Sequence, residues 1–217
     1  MAIARANGLD PDRFFSTASE TAYQTGYVLG RADEHTYWRT LREITGIDGS
    51  DDELRGQILS RFIVRPWMID IVRTVRSQVT TVAILSDQTN WLNELNEKYD
   101  FFKEFDQVFN SFAVGKSKRD PSLFSDVSAR LGIAAPQLLF IDDSEGHIAR
   151  ARSRGLNGIL FRQGTTPHRT RGFRIPHSFM TNPAWRTIFL SCSTGLPPVV
   201  KYPPMIMPLA PPRSAIV

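Results

Sequence analysis

The sequence predicts an α/β fold: a parallel sheet flanked by helices, with a helical segment ahead of it. Three observations carry this. Residues 1 to about 65 show helical spacing and no strand pattern. Residues 66 to 163 alternate short apolar, β-branched runs with runs of helical period. Residues 164 to 217 hold no Asp or Glu and ten of the fourteen prolines, a composition that predicts disorder or polyproline segments. Alternating strands and helices build parallel sheets with right-handed crossovers.

In the first zone, "DPDRFFSTASETAYQTGYVLGR", "DEHTYWRTLREITG" and "DDELRGQILSRF" each open on an acid suited to an N-cap or a first turn. Trp38, Leu41 and Ile44, then Leu54, Ile58 and Phe62, recur near the helical period. Gly46 and Gly49 punctuate the turn between the last two helices. In the second zone, "PWMIDIVRTVRSQ" is a helix with proline at its first position. "TTVAILSD" is a strand buried on both faces, followed by the helix "NWLNELNEKYDFF" and the short strand "FDQVFNSF". "DPSLFSDVSARLG" is a helix with Gly132 as C-cap. "QLLFIDD", "EGHIARARSRG" and "NGILF" then read as strand, helix and strand.

Composition narrows the function classes. Hydrophobic content of 41% and charged content of 22% are ordinary for a globular chain. No apolar run approaches the roughly 20 residues of a bilayer span. "MAIARANGLDPDRFF" lacks the apolar core of a secretory signal. Cys192 is the only cysteine, which excludes an internal disulfide and makes a reducing, cytoplasmic location the expectation. The net charge of +4 belongs to the end of the chain, where six Lys and Arg meet no acid; residues 1–163 carry about −2.

Candidate chemistry gathers where strands end, since ligands of open parallel sheets sit beyond the carboxyl ends of the strands. "TVAILSDQTN" delivers Ser86 and Asp87, then Thr89 and Asn90 at a helix start. "LLFIDDSEG" drives an apolar strand straight into Asp142 and Asp143, an acidic pair that needs compensation. Between them "VGKSKRDP" supplies Lys116, Lys118 and Arg119. A hydroxyl, helix N-terminal N–H groups and a lysine suit a phosphate, and paired aspartates suit Mg²⁺.

This combination resembles the haloacid dehalogenase-like hydrolase superfamily, in the subgroup with a small helical cap. The resemblance spans roughly residues 8 to 163. It rests on "AILSD", with Ser86 at the strand end, on "GKSKRDPSLF", and on "LLFIDDSEGHIARARSRG". In the second stretch Gly115, Lys118, Asp120, Pro121 and Phe124 keep the register, with Arg119 where relatives have proline. That register selects Lys118 over Lys116.

The resemblance implies a Rossmann-like core over residues 66–163 and a cap over residues 1–65. It implies a Mg²⁺-dependent phosphatase of small phosphate esters. Ser86, Asp87 and Lys118 would serve phosphate, Lys118 and Asp142 catalysis, and Asp142 and Asp143 the metal.

The superfamily's first motif, a strand ending in the aspartate nucleophile, is expected ahead of the cap. No apolar strand ending in aspartate precedes residue 10, and Asp10 and Asp12 read as helix-start acids. The expectations are a site without its nucleophile, a missing central first strand, and a chain that is a fragment or begins from a displaced start. "WRTIFLSC", residues 185–192, is the one stretch of the third zone with regular character, and it is not expected to fill the gap. The third zone reads equally as an altered reading frame or as a basic binding tail. Two alternative functions follow: a non-catalytic protein that binds a partner or phosphorylated ligand, and nucleic-acid binding by the tail, whose Phe173, Phe179 and Trp185 stand among arginines.

Overall fold

The computed structural model describes residues 2–64, 66–161 and 187–192. The helical zone contains α1 (Ala2–Ala6), α2 (Pro11–Gln24), α3 (Glu34–Thr45) and α4 (Asp51–Leu59). Asp10 caps α2 by accepting from the Arg13 N–H, and Asp33 caps α3 through the Thr36 N–H. Ser50 and Glu53 form a reciprocal capping box on α4. Helix α2 ends at Gln24, earlier than its sequence suggests. Gly26 takes φ of 78°, and Tyr27–Leu29 is a single 3₁₀ turn. On α3 the buried stripe is Tyr37, Trp38 and Leu41, while Ile44 is 54% exposed. With Tyr37 buried beside Trp38, the stripe is centred one position away from an i, i+3, i+6 reading, and Ile44 falls off its edge.

The second zone runs α5 (Pro66–Arg76), β1 (Thr81–Ser86), α6 (Trp91–Tyr99), β2 (Gln107–Asn110), α7 (Ser111–Val114), α8 (Ser122–Leu131), β3 (Leu138–Asp142), α9 (Glu145–Ser153) and β4 (Asn157–Leu160). The strands alternate their burial between two helical layers. Ala83, Leu85, Leu138 and Phe140 pack with Leu123, Phe124, Val127 and Ile148 of α8 and α9. Val82, Leu139 and Ile141 pack with Val72 and Val75 of α5, and Ile84 with Leu92 and Leu95 of α6. Cover on both faces explains the unbroken apolar runs of β1 and β3.

One strand corrects the sequence reading. β5 (Thr187–Cys192) lies in the middle of the sheet, whose order is β2-β1-β5-β3-β4. It runs parallel to both neighbours, from Thr81↔Thr187 to Ser86↔Cys192 on β1, and from Leu138↔Thr187 to Ile141↔Leu190 on β3. The gap expected between the strands of Ser86 and Asp142 is therefore filled, by a strand from the segment read as a disordered tail. The physical reason is that β1 and β3 are buried along their lengths, and unpaired N–H and C=O groups there are costly. The rest of that segment, including Phe173, Phe179 and Trp185, lies outside the described residues.

The helical zone is joined to the sheet layer by specific contacts. Tyr27 and Tyr37 meet Trp91 of α6 edge-on, with ring centroids 6.0 and 6.2 Å apart. Ser111 Oγ donates to the Val28 carbonyl at 2.7 Å. Gly30 holds φ of 66°, and a Cβ there would run into the Phe112 carbonyl oxygen. Gly30→Ala is expected to cost roughly 2 kcal/mol or more, since it combines a left-handed backbone with a backbone clash; urea denaturation measures it, and an unchanged midpoint would contradict this close approach. A chain cut after residue 163 is expected to lose cooperative unfolding, because it bares the inner edges of β1 and β3; circular dichroism during a urea titration shows it.

Candidate active site

The carboxyl edge of the sheet carries Ser86 from β1, Asn110 from β2 and Asp142 from β3. At its centre is an ion pair. Lys118 Nζ donates to Asp142 Oδ2 at 2.9 Å, and both side chains are fully buried. A lysine and an aspartate are almost never fully buried unless paired. The other Asp142 oxygen accepts the Ser144 N–H at 2.6 Å, and His147 Nδ1 stands 3.2 Å away. Asp142 thus ends its strand inside a ring of donors, while Asp143 is exposed. The repulsion of adjacent aspartates is relieved by this division: one is buried against a cation and the other faces solvent.

Asp87 is also buried, and both its oxygens are used by the scaffold. Oδ1 accepts the Lys118 N–H at 2.8 Å and Oδ2 accepts the Tyr23 hydroxyl at 2.9 Å. Arg150 Nε donates to the Lys118 carbonyl at 2.7 Å. The lysine backbone is therefore held from both sides, and its side chain has one direction in which to reach. Asp87 thus holds the Lys118 backbone on one oxygen and the Tyr23 hydroxyl on the other.

Lys116 lies two residues away and goes elsewhere, to Ser122 Oγ at 2.9 Å and to Asp126. The Ser122 backbone N–H and hydroxyl hold Asp120 below the usual carboxylate range, which fixes the start of α8. Ser86 is 1% exposed and Thr89 4%. Asn110 ties down the intervening loop: its Oδ1 accepts the Gln88 N–H at 3.2 Å and its Nδ2 donates to the Thr89 carbonyl at 2.9 Å. Burial, reinforced by Glu34, pushes the Tyr27 phenol far above its ordinary value. It stays protonated and donates to Asn90 Oδ1 at 2.5 Å.

Lys118 and Asp142 meet, and Ser86 ends β1 at the same carboxyl edge, with β5 between its strand and β3. Tyr23, Asn110, His147 and Arg150 were not anticipated. Asn110 and Ser111 could have been flagged, since "FNSF" also ends a strand at this edge. His147 and Arg150 stand among ordinary polar residues of a helix, and nothing local marks them.

The donor set fits magnesium. Asp142 and Asp143 offer hard carboxylate oxygens, and Mg²⁺ commonly takes one or two carboxylates, with waters and a substrate phosphate completing the octahedron. Among the described residues there is no group of three or more His, Cys, Asp or Glu that could hold a metal ion. A small cavity of about 30 Å³ lies beside the site, lined by Ala18, Tyr23, Tyr27, Tyr37, Thr89 and Trp91. That is room for one or two waters and not for a substrate group.

No protein-family model matches the chain. Among curated proteins, flavin mononucleotide hydrolase 1 of Arabidopsis thaliana chloroplasts is 25% identical over 118 residues, which is 53% of this chain and 48% of that protein. The match thus spans about half the relative's length. Among solved structures, a haloacid dehalogenase-family enzyme of Bacteroides thetaiotaomicron, in complex with magnesium and inorganic phosphate, superposes with a TM-score of 0.58 at 19% identity, covering 76% of this chain and 92% of that one. A haloacid dehalogenase-like hydrolase of Porphyromonas gingivalis gives 0.58 at 22% identity, over 80% and 86%. The L-2-haloacid dehalogenase of Xanthobacter autotrophicus gives 0.53 at 18%, over 82% and 80%.

Replacing one partner of the central pair is expected to be severe. Lys118→Met leaves Asp142 buried with its main counter-charge gone and should cost about 3–5 kcal/mol in chemical denaturation. Adding Asp142→Leu to that variant should recover part of the loss, because the orphaned charge goes with it.

Proposed function

We propose that this chain, which has the haloacid dehalogenase-like fold, binds small phosphate esters with Mg²⁺ at the carboxyl edge of its sheet, using the recognition parts of a phosphatase. The observation that carries this reading is the fully buried Lys118–Asp142 pair at the sheet edge where Ser86 ends β1. Ser86 and neighbouring N–H groups would bind phosphate oxygens. Lys118 would neutralise phosphate charge. Asp142 would hold the metal, with Asp143 acting through water. Mg²⁺, when bound, would withdraw negative charge from the phosphoryl group. The names of the similar proteins support the class: one is a hydrolase of flavin mononucleotide, and another holds magnesium with inorganic phosphate.

Hydrolysis through a phosphoenzyme needs a nucleophile aligned with the phosphorus. In this sheet the strand between Ser86 and Asp142 ends in Ser191 and Cys192, and brings no carboxylate to that place. We therefore assign the chain binding without turnover through an aspartyl intermediate. A dehalogenase reading is weaker, because paired metal-binding carboxylates suit phosphate chemistry better than carbon–halogen cleavage.

Isothermal titration with inorganic phosphate, with and without Mg²⁺, tests this. Phosphate is expected to bind in the presence of Mg²⁺, and Asp142→Asn to abolish Mg²⁺ binding. Unchanged Mg²⁺ affinity in that variant would refute the metal assignment. Sustained hydrolysis of p-nitrophenyl phosphate by the purified chain would refute the absence of turnover.

A further inference from the structure

Arg119 stands at the rim of this site and the phosphate chemistry does not use it. Its guanidinium carbon lies 3.4 Å from the centroid of the Tyr23 ring. Its Nη2 reaches Glu20 Oε2 at 3.0 Å, with the two side chains 47% and 48% exposed. An ion pair so open to water holds weakly. The same Tyr23 donates its hydroxyl to Asp87, whose other oxygen takes the Lys118 N–H. One tyrosine ring therefore separates the guanidinium from the loop that aims Lys118 at Asp142. Two more cations lie on this loop, Arg150 on the Lys118 carbonyl and Arg31 on the Gly115 carbonyl. Of these three arginines, Arg119 is the one whose side chain is held by an ion pair open to water.

We infer that Arg119 is a specificity-determining residue that takes a second anionic group of the substrate, a carboxylate or a second phosphate, in exchange for Glu20. This rests on the phosphate site proposed above. Stacking on Tyr23 fixes the plane of the guanidinium, so its fork of N–H donors is presented ready-made. A planar fork matches a carboxylate or phosphate edge with two parallel hydrogen bonds. The cavity under the helical zone has room for one or two waters only, and Arg119 is not among the residues that line it. The substrates so selected are phosphate esters bearing a second negative charge a few bonds from the phosphorus.

The test is calorimetric titration of the full chain with phosphonoacetate and with methylphosphonate, both in excess Mg²⁺. The two probes share a phosphonate and differ in the carboxylate. The chain is expected to prefer phosphonoacetate by roughly tenfold, the worth of one charge-assisted contact. Arg119→Gln should reduce that preference to about twofold or less and leave methylphosphonate binding in place. Glu20→Gln should strengthen phosphonoacetate binding by roughly two- to threefold, since it removes the competitor. A merely structural Arg119 would not produce that gain. Equal binding of both probes, or a preference that survives Arg119→Gln, overturns the inference and leaves the phosphate site standing. Failure of methylphosphonate to bind at all overturns the site and the inference together. Methylenediphosphonate in place of phosphonoacetate separates a second phosphate from a carboxylate as the preferred group.

Discussion

The buried contact between Lys118 and Asp142 is the interaction on which the rest of the structure depends. Two opposite charges removed from water are tolerable only when geometry is close and the remaining lone pairs and protons are met. Here each is met by a different element. Asp142 draws on the backbone of Ser144 and on His147. The Lys118 backbone is held by Asp87 and Arg150. Asp87 in turn needs Tyr23, 64 residues earlier in the chain. The pair thus forces β1, β3, α2, α9 and the loop before α8 into one arrangement. The same arrangement leaves a hydroxyl, a cation and carboxylates at one sheet edge.

The site was legible to the extent that its chemistry is local. Ser86 and Asp142 announce themselves because an apolar run ends abruptly in a polar group, and a strand can do that only at an edge of the sheet. Lys118 was separable from Lys116 only through the resemblance, by the register of the family motif, and the structure sends Lys116 to Asp126. Asp87 was assigned to phosphate because it follows Ser86. Its actual partners, Tyr23 and the Lys118 backbone, are distant in sequence, and no local pattern reports them. Tyr23 itself sits in a helix that reads as amphipathic and nothing more.

The position of β5 was illegible for a different reason. Whether a short apolar stretch becomes a central strand depends on the unmet hydrogen bonds of other strands, which its own residues do not encode. "TIFLSC" has the length and β-branched content of a strand, yet it lies among prolines and arginines that argue against one. The demand comes from β1 and β3, whose residues are buried on both faces and whose inner edges face each other. A slot of that kind is more informative than the segment that fills it.

That slot has a temporal side. In chain order, the strands it separates are complete by Asp142, while its occupant begins at Thr187. During synthesis, elements emerge and fold from the N-terminus at roughly 5–20 residues per second. For a few seconds the helical zone, the lysine loop and four strands exist without the fifth. β1 and β3, which carry Ser86 and Asp142, both pair with β5, so the sheet edge of the site is complete only once that strand is in place. Such a chain spends its earliest life as a divided sheet with two sticky inner margins, and its assembly ends with insertion at the centre instead of growth at the rim.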